Sequence, residues 1–594
     1  MKAEGFKMAR WCLNDLYTSF DSPEFLADFN AAKGKIEEFT KWAEDNFASM
    51  DNAASKLVDY IGKVNENSKT LSKMLIYSML VKSVDDNNLD AKKYGDMLRV
   101  MFAGLTKPQV MFAAYVGKIE DLDAVINSHD TLKEHAFILR EQKAKNAYLL
   151  SEDEEVVFAN LKTTGSSAWE DMKNQQTATM RIKVTVEGEE KELPLPAVRN
   201  LAYDANPKTR KAAYLAEMAA YKDVDKACAA ALNAIKGEAL TAVRLRGYDS
   251  PLDMTLKNSR MQKETLDAMI SAMEDFLPSF RRYFKKKAEK LGHKNGLPWF
   301  DLVAPTGEVN MKFTLEEGRK FVLDNFYKFS KRLGDFTKHA FDNNWVDSEV
   351  REGKMGGAYC MGLHSIGQSR ILENFNGTFS NVTTTAHEFG HAYHNLCLKD
   401  VSQMNSTYTM PIAETASNFC ETIIIDAALE GADAKTKEAI LEQDLSDAMA
   451  VIVDIYSRYL FETRLFEARA KGSLSVAEIN ELMKQAQIDA YGDGIDPEYL
   501  HEYAWLNKPH YYFVDRNFYN FPYAYGLMFS KGLYAQYLEK GQEFVEKYDA
   551  LLTATGSASL EEVGDMAGID VRKKEFWASS LKLIDAKLDE FCAL

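Results

Sequence analysis

Hydrophobic residues recur at intervals of three and four along most of this chain, which predicts amphipathic helices. From residue 22 to about 169 the pattern is continuous, with Leu71, Met74 and Leu75 as one example. Between residues 180 and 193 the period changes to two, and Glu187 and Gly188 supply a turn, so a β-hairpin is expected there. The hairpin suggests a boundary between an N-terminal helical lobe, 1–195, and a second domain, 196–594.

Glycines punctuate the stretch from residue 353 to 380, unlike the rest of the chain. They separate the short segments 358–361 and 371–375, which predicts a small sheet. Asn376 and Gly377 have the composition of a hairpin turn leading to Thr378 and Phe379. A helix should then cover residues 383 to about 398, capped by Ser380 or Asn381.

That helix carries the sequence HEFGH, with His387 and His391 four residues apart. Residues at this spacing project from one helix face, so both imidazoles can reach one metal ion while Glu388 lies beside an open coordination position. Gly390 costs the helix about 1 kcal/mol relative to Ala. We therefore expect another backbone to approach closely at Gly390.

A third protein ligand is expected downstream, in a helix predicted from Pro411 to Gly431. Glu414 and Glu421 lie two turns apart on its apolar face. We assign Glu414 to the metal, and Glu421 or Asn418 to the orientation of a ligand histidine. The alternative is that Glu414 only complements the helix dipole. His394 is expected to pack or to form a peripheral hydrogen bond.

An aromatic stretch from residue 508 to 526 contains one histidine and many tyrosines. His510, Tyr519 and Tyr523 could donate hydrogen bonds to an oxyanion, and Tyr519 and Tyr523 would share a face if this stretch is helical. Composition alone favours an aromatic core as the alternative.

Net charge and hydropathy exclude several classes of function. The charge of -17 argues against nucleic acid as a partner, because counterion release needs clustered cations. No apolar run of membrane-spanning length and no secretory signal is visible, and the six cysteines are scattered. These features predict a cytoplasmic protein with no membrane partner.

The segments NGTFSNVTTTAHEFGHAYH, PIAETASNFCE, KPHYY and FYNFPYAYG occur in that order. Together they resemble the M3 family of zinc metallopeptidases, in particular its oligoendopeptidase F branch, over roughly residues 110 to 590. The resemblance implies a mainly α fold: a two-lobed helical ellipsoid with a deep central channel, a small β-sheet next to the HEXXH helix, and one zinc ion at the channel floor.

Residue by residue, the resemblance implies that His387, His391 and Glu414 bind zinc and that Glu388 is the general base and acid. It implies oxyanion and substrate contacts from His510, Tyr519 and Tyr523. It also implies an edge strand that pairs with extended peptide, through Gly357, Ala358 and Tyr359. His364 and Arg370 have no role in this pattern.

The predicted function is zinc-dependent endopeptidase action on short, unstructured oligopeptides in a closed channel, with zinc-activated water as the nucleophile. One alternative is a carboxypeptidase or dipeptidyl carboxypeptidase, which would need a clamp for the terminal carboxylate, and Arg370 or Lys508 could serve. A second alternative is a noncatalytic peptide-binding protein.

Overall fold

The computed structural model describes residues 10–307 and 311–594. Its first part is helical, as predicted. The helices are α1 Pro23–Asn46, α2 Ala53–Val84, α3 Leu89–Ala103, α4 Thr106–Lys118, α5 Leu122–Asn127, α6 Asp130–Glu134, α7 Ala136–Asn146, α8 Glu152–Thr164 and α9 Ser166–Thr179.

The predicted hairpin follows α9. Its strands are β1 Arg181–Val186 and β2 Glu189–Pro194, paired antiparallel with Val186 opposite Glu189. Glu187 and Gly188 both have positive φ, 56° and 87°, which is the backbone geometry of a two-residue hairpin loop. The apolar side chains of β1 alternate with exposed ones and are buried.

Helices resume directly after the hairpin and continue to the small sheet. They are α10 Leu195–Asn200, α11 Pro207–Tyr221, α12 Asp225–Arg246, α13 Pro251–Asn258, α14 Lys263–Lys290, α15 Leu315–Phe329 and α16 Lys331–Asp342.

The predicted small sheet is also present. It contains β3 Val346–Asp347, β4 Tyr359–Leu363 and β5 Gln368–Leu372 in the order β3-β5-β4, so β4 is an edge strand antiparallel to β5. The predicted hairpin turn at residues 376 and 377 is wrong. Gly377 does turn the chain, with φ of +86°, but Thr378 then caps a helix, because its hydroxyl accepts the backbone N–H of Asn381 at 3.3 Å.

The remaining helices begin with the one that carries HEFGH. They are α17 Phe379–Leu398, α18 Met410–Ala413, α19 Thr415–Glu430, α20 Ala434–Met449, α21 Ile455–Arg469, α22 Val476–Tyr491, α23 Ala504–Asn507, α24 Phe521–Lys540, α25 Glu543–Ala554, α26 Leu560–Met566 and α27 Lys574–Ala593. The sequence placed the start of α17 four residues too late, because Thr378 rather than Ser380 or Asn381 is the cap.

The predicted continuous helix from Pro411 to Gly431 is interrupted. Glu414 has φ of -93° and ψ of 7°, and this non-helical residue separates α18 from α19. The interruption places Glu414 at the N-terminus of α19 rather than within a first turn. Its side chain is therefore free to point away from the helix surface.

Helix α17 packs against α19 at Gly390. A Cβ atom on Gly390 would lie 2.3 Å from the carbonyl oxygen of Ala416 and 2.5 Å from Cα of Ser417. Both distances are far below van der Waals contact, so only glycine permits this approach. The predicted close approach of a second backbone is confirmed.

Buried apolar side chains form several clusters. The largest joins α14, α17, α19, α24 and α27 around the HEFGH helix. A second joins the hairpin to α12 and the stretch that leads to Tyr512. Two further clusters are built mainly from α1 to α7. A division of the chain at residue 195 stays a prediction. No helix in the described ranges combines the length and apolar character that crossing a membrane requires.

The contact at Gly390 makes a testable prediction. Replacing Gly390 with Ala should lower the free energy of unfolding by about 1–3 kcal/mol, because the added methyl group forces the two helices apart. The measurement is chemical denaturation.

Gly62 in α2 provides the matched control, since a Cβ there meets no heavy atom within 4 Å. Gly62→Ala should leave stability unchanged or raise it by up to about 1 kcal/mol, as helix propensity dictates. Equal effects of the two substitutions would contradict a packing role for Gly390.

Candidate metal centre

Three side chains converge where α17 meets the start of α19. The Nε2 atoms of His387 and His391 lie 3.3 and 3.4 Å from the same oxygen, Oε2 of Glu414. One ligand atom from each residue lies within 4.8 Å of the others, a group that can hold a metal ion. Two imidazole nitrogens and a carboxylate oxygen are a common donor set for catalytic zinc, and the chemistry of these residues fits that ion.

Local backbone geometry directs each donor. The two histidines are one turn apart on α17, with ring centroids separated by 5.0 Å. Glu414 reaches them from the break between α18 and α19, where Ser417 donates a hydrogen bond of 2.7 Å to Oε2. Gly526 of α24 also approaches closely, since a Cβ there would lie 3.1 Å from Cβ of Glu414. Three helices therefore fix the position of Glu414.

The electrostatics of the site favour positive charge. Burial disfavours the charged imidazolium of His387, but the hydrogen bonds that its ring donates to the Glu414 and Glu421 carboxylates outweigh burial and raise its pKa to about 10. Burial acts to raise the pKa of Glu414, but the hydrogen bonds that both histidines donate to it outweigh burial. They hold the pKa of this carboxyl well below its usual range. A cation at this position is thus strongly stabilised.

Glu421 contacts the second nitrogen of a candidate ligand. Its Oε2 lies 3.3 Å from Nδ1 of His387, so the other ring nitrogen, Nε2, is directed toward Glu414. Asn418 lines the same cavity as His387 and Glu414. Of the two residues proposed to orient a histidine, Glu421 is the one with the required contact.

Glu388 lies next to the three converging side chains and is buried. Its Oε2 atom is inaccessible and makes no hydrogen bond within the described part of the chain. Burial is the main cause that raises the pKa of Glu388. A buried carboxylate with a raised pKa is suited to accept a proton from a bound molecule and to release it again.

The aromatic stretch brings His510, Tyr519 and Tyr523 together. Ring centroids are 5.6 Å apart for His510 and Tyr519, 6.1 Å for His510 and Tyr523, and 5.8 Å for the two tyrosines. Tyr523 also lines the 250 Å³ cavity that contains His387 and Glu414. The condition under which Tyr519 and Tyr523 would share a helix face is not met, because α24 begins only at Phe521.

His510 carries a neutral ring at physiological pH. Burial, followed by repulsion from Arg458 and Lys508, lowers its pKa to about 4. Its Nδ1 atom is buried without a hydrogen-bond partner among the described residues. The ring can therefore donate one N–H bond to a molecule in the site without adding charge.

The edge strand β4 lies along α17. A Cβ on Gly362 would lie 2.8 Å from the side chain of Asn395 in α17, so glycine permits this close approach. Burial raises the pKa of the Cys360 thiol, and the nearby carboxylate of Glu388 raises it further. Gly357 and Ala358 precede the strand and line a 190 Å³ cavity. Tyr359 begins the strand, and its hydroxyl donates to Ser83 Oγ at 2.7 Å.

Three residues that could bind a metal or a carboxylate, but lie outside the site, have structural partners instead. His394 stacks on Tyr408 and contacts Thr555 Oγ1 at 2.8 Å, which confirms the expected packing role. Nε2 of His364 contacts the carbonyl oxygens of Leu398, the last residue of α17, and of Val401 in the loop that follows. Arg370 is fully buried and bonds to Asp15 and to the carbonyl of Cys12, so it is not available as a carboxylate clamp.

Sequence reasoning missed two features of the site. Gly526 supports Glu414 from α24, and a glycine inside a helix was the available signal, as at Gly390. The proximity of Cys360 to Glu388 had no local signal, since it depends on how the sheet packs on α17.

The fold and this site define a helical metallopeptidase: an HEXXH helix joined to a glutamate from the next helix, beside the edge of a small sheet. The model of peptidase family M3 matches residues 200–583, and the model described as oligopeptidase F matches residues 118–182. The chain belongs to peptidase family M3, whose members are zinc metallopeptidases.

Several known proteins are similar to the chain over most of its length. An oligoendopeptidase F homolog from Lactococcus lactis is 24% identical over 98% of this chain and 96% of its own length. The group B oligopeptidase PepB from Streptococcus agalactiae is 25% identical over 88% of this chain and 87% of its own. The crystal structure of oligoendopeptidase F from Enterococcus faecium shares the fold, with a TM-score of 0.70, 19% identity, and coverage of 95% and 98% of the two chains.

The arrangement predicts how substitutions change zinc binding. His387→Ala should abolish stoichiometric zinc after dialysis, because it removes one of three donors. Glu421→Gln should keep zinc but weaken its affinity by about 10- to 100-fold, since it acts through His387. Zinc content by mass spectrometry and competition with a chelator measure both effects.

His339→Ala, at an exposed histidine of α16, is the control and should retain zinc fully. Stoichiometric zinc in His387→Ala would refute the proposed ligand set.

Proposed function

We propose that the protein is a zinc-dependent endopeptidase that hydrolyses short, unstructured oligopeptides, with a single zinc ion held by His387, His391 and Glu414. One observation carries this proposal: three ligand atoms converge beside the buried, unpaired carboxylate oxygen of Glu388. That combination supplies a metal site and a proton acceptor at one place. Membership in a family of peptidases supports peptide bonds as the substrate.

The zinc ion, when bound, supplies a Lewis acid that polarises the scissile carbonyl and makes water nucleophilic at neutral pH. The carboxylate of Glu388 accepts the proton of the attacking water. It then donates that proton to the nitrogen of the leaving amine, so the carboxylate is regenerated. Burial supports both steps, because it brings the pKa of Glu388 closer to neutrality.

The other groups of the site orient the peptide. The neutral ring of His510 and the hydroxyl of Tyr523 donate hydrogen bonds to the oxyanion that forms on the scissile carbonyl. Tyr519 packs against both rings and supports their positions. Gly357, Ala358 and Tyr359 lie at the edge of the sheet, where an extended peptide can add as a further strand.

The restriction to oligopeptides rests on two supports. Pairing with a sheet edge requires an extended chain, which a folded protein does not offer. Similar proteins from Lactococcus lactis and Streptococcus agalactiae bear the names oligoendopeptidase and oligopeptidase. A closed channel between two lobes, divided near residue 195, and a cytoplasmic location are the remaining parts of this proposal.

Replacing the proposed base separates metal binding from turnover. Glu388→Gln should keep stoichiometric zinc and lose about 100- to 10,000-fold in kcat, because glutamine cannot accept the proton. Steady-state kinetics on a fluorogenic peptide, with zinc analysis of the same sample, measure both quantities.

Glu467→Gln, at an exposed position of α21, is the control and should show normal turnover. Near-normal turnover by Glu388→Gln would refute its role as base. Absence of turnover in the zinc-loaded wild-type protein would favour the noncatalytic peptide-binding alternative.

Peptides blocked at both ends distinguish an endopeptidase from a carboxypeptidase. An acetylated, amidated peptide of about ten residues should be cut internally, whereas a native folded protein that contains the same segment should resist cleavage. Mass spectrometry of the products identifies the bonds. Removal of residues only from free C-termini would instead establish carboxypeptidase or dipeptidyl carboxypeptidase action.

A further inference from the structure

A third cavity, of 390 Å³, is lined by several cationic side chains. Arg199, Arg210, Arg458 and Lys508 contribute positive charge, and Glu217 and Asp454 contribute negative charge. Arg210 is neutralised separately, because its Nε donates to the buried Asp301 at 2.6 Å. Three cations therefore face two carboxylates in a chain whose net charge is -17.

None of these three cations is fully paired within the described part of the chain. The Nζ atom of Lys508 lies 3.9 Å from Oδ2 of Asp454, which is too long for a hydrogen bond. Nε of Arg199 is 3.7 Å from Oε1 of Glu217. Arg458 pairs with Asp454 through Nη2, but its Nε is buried and makes no hydrogen bond to any described residue.

Burial makes this excess of positive charge unfavourable. Burial is the main cause that lowers the pKa of Lys508 to about 8, although Asp454 opposes the shift, and repulsion from Arg458 adds to it. A buried charge without a full partner costs free energy that a matching counter-ion returns. An anion entering the cavity would therefore be stabilised by all three cations.

One π-helical turn, Ala450–Asp454, connects this cavity with the metal centre. Val451 lines the cavity that contains His387 and Glu414, whereas Ala450 and Asp454 line the cationic cavity. A helix is about 10 Å wide. Because an extended peptide advances about 3.3 Å per residue, roughly three residues separate the two cavities.

We propose that the cationic cavity binds a carboxylate of the peptide substrate, contacted by Lys508, Arg199 and Arg458. The proposal rests on the proposed peptidase function and adds a selectivity for negative charge a few residues from the scissile bond. A terminal carboxylate and an Asp or Glu side chain offer the same chemistry. A bidentate guanidinium and an ammonium suit either source.

Matched peptide pairs test this selectivity. One pair differs only in a free or amidated C-terminus, and a doubly blocked series carries Glu or Gln at each successive position. We expect kcat/KM to be about tenfold or more higher for the charged member at one position or at the terminus, since charge-assisted hydrogen bonds to a carboxylate are strong. The position identifies which carboxylate binds.

Lys508→Met and Arg199→Met should bring that ratio of kcat/KM values close to one. Arg199 is partly exposed, so its variant tests the cavity even if loss of Lys508 disturbs folding. Lys471→Met, at an exposed lysine after α21, is the control and should keep the wild-type ratio. Thermal unfolding of each variant verifies its fold.

The ratio of kcat/KM for the charged peptide to kcat/KM for the neutral peptide does not depend on whether hydrolysis occurs by the proposed mechanism. Failure of the wild-type protein to cleave any peptide refutes the proposed function, and binding then tests the cavity alone. Calorimetry with the Glu388→Gln variant should give tighter binding of the charged peptide, and adding Lys508→Met should remove the difference. Equal kcat/KM and equal affinity for every charged and neutral pair would overturn the proposal.

Discussion

The close contact between two backbones at Gly390 is the constraint on which the site depends. The HEFGH helix can lie against residues 416 and 417 only because position 390 lacks a Cβ atom, and that contact brings Glu414 to the two histidines. A second glycine, Gly526, lets α24 approach Glu414 from the other side. The same helix carries Tyr523. These two glycines thus allow His387, Glu414 and Tyr523 to line one cavity, at a cost in helix propensity of about 1 kcal/mol for each glycine.

Charge is distributed unevenly around this contact. The metal centre concentrates carboxylates around two histidines, which favours a cation. On the other side of the π-helical turn, the cationic cavity favours an anion. Between them, His510 stays neutral because it is buried near Arg458 and Lys508. In this account, a peptide places its scissile carbonyl at the cation and a carboxylate in the cationic cavity. The separation would select both the position and the direction of the bound chain.

Local patterns in the sequence predicted the parts of the site that lie within one helix. His387, Glu388 and His391 follow from helical spacing, and a glycine in their midst predicted the contact that the structure shows. Glu414 could be assigned because it is a carboxylate on an otherwise apolar helix face. Other features depend on contacts between distant segments, which periodicity does not encode. The N-cap of α17 is Thr378 rather than the expected Ser380 or Asn381. A non-helical residue, Glu414, divides the helix that the apolar pattern predicted to be continuous. The cationic cavity combines residues 199, 458 and 508, so no motif could reveal it.

The location of the bound metal is the most direct test of this account. A crystal of the protein grown with one equivalent of zinc, measured on both sides of the zinc absorption edge, gives an anomalous difference map that shows the ion itself. We expect one peak, about 2.0–2.2 Å from the nearest donor atoms of His387, His391 and Glu414. A peak at other residues, or a crystal that contains stoichiometric zinc but shows no peak between these three side chains, would contradict the proposed zinc site.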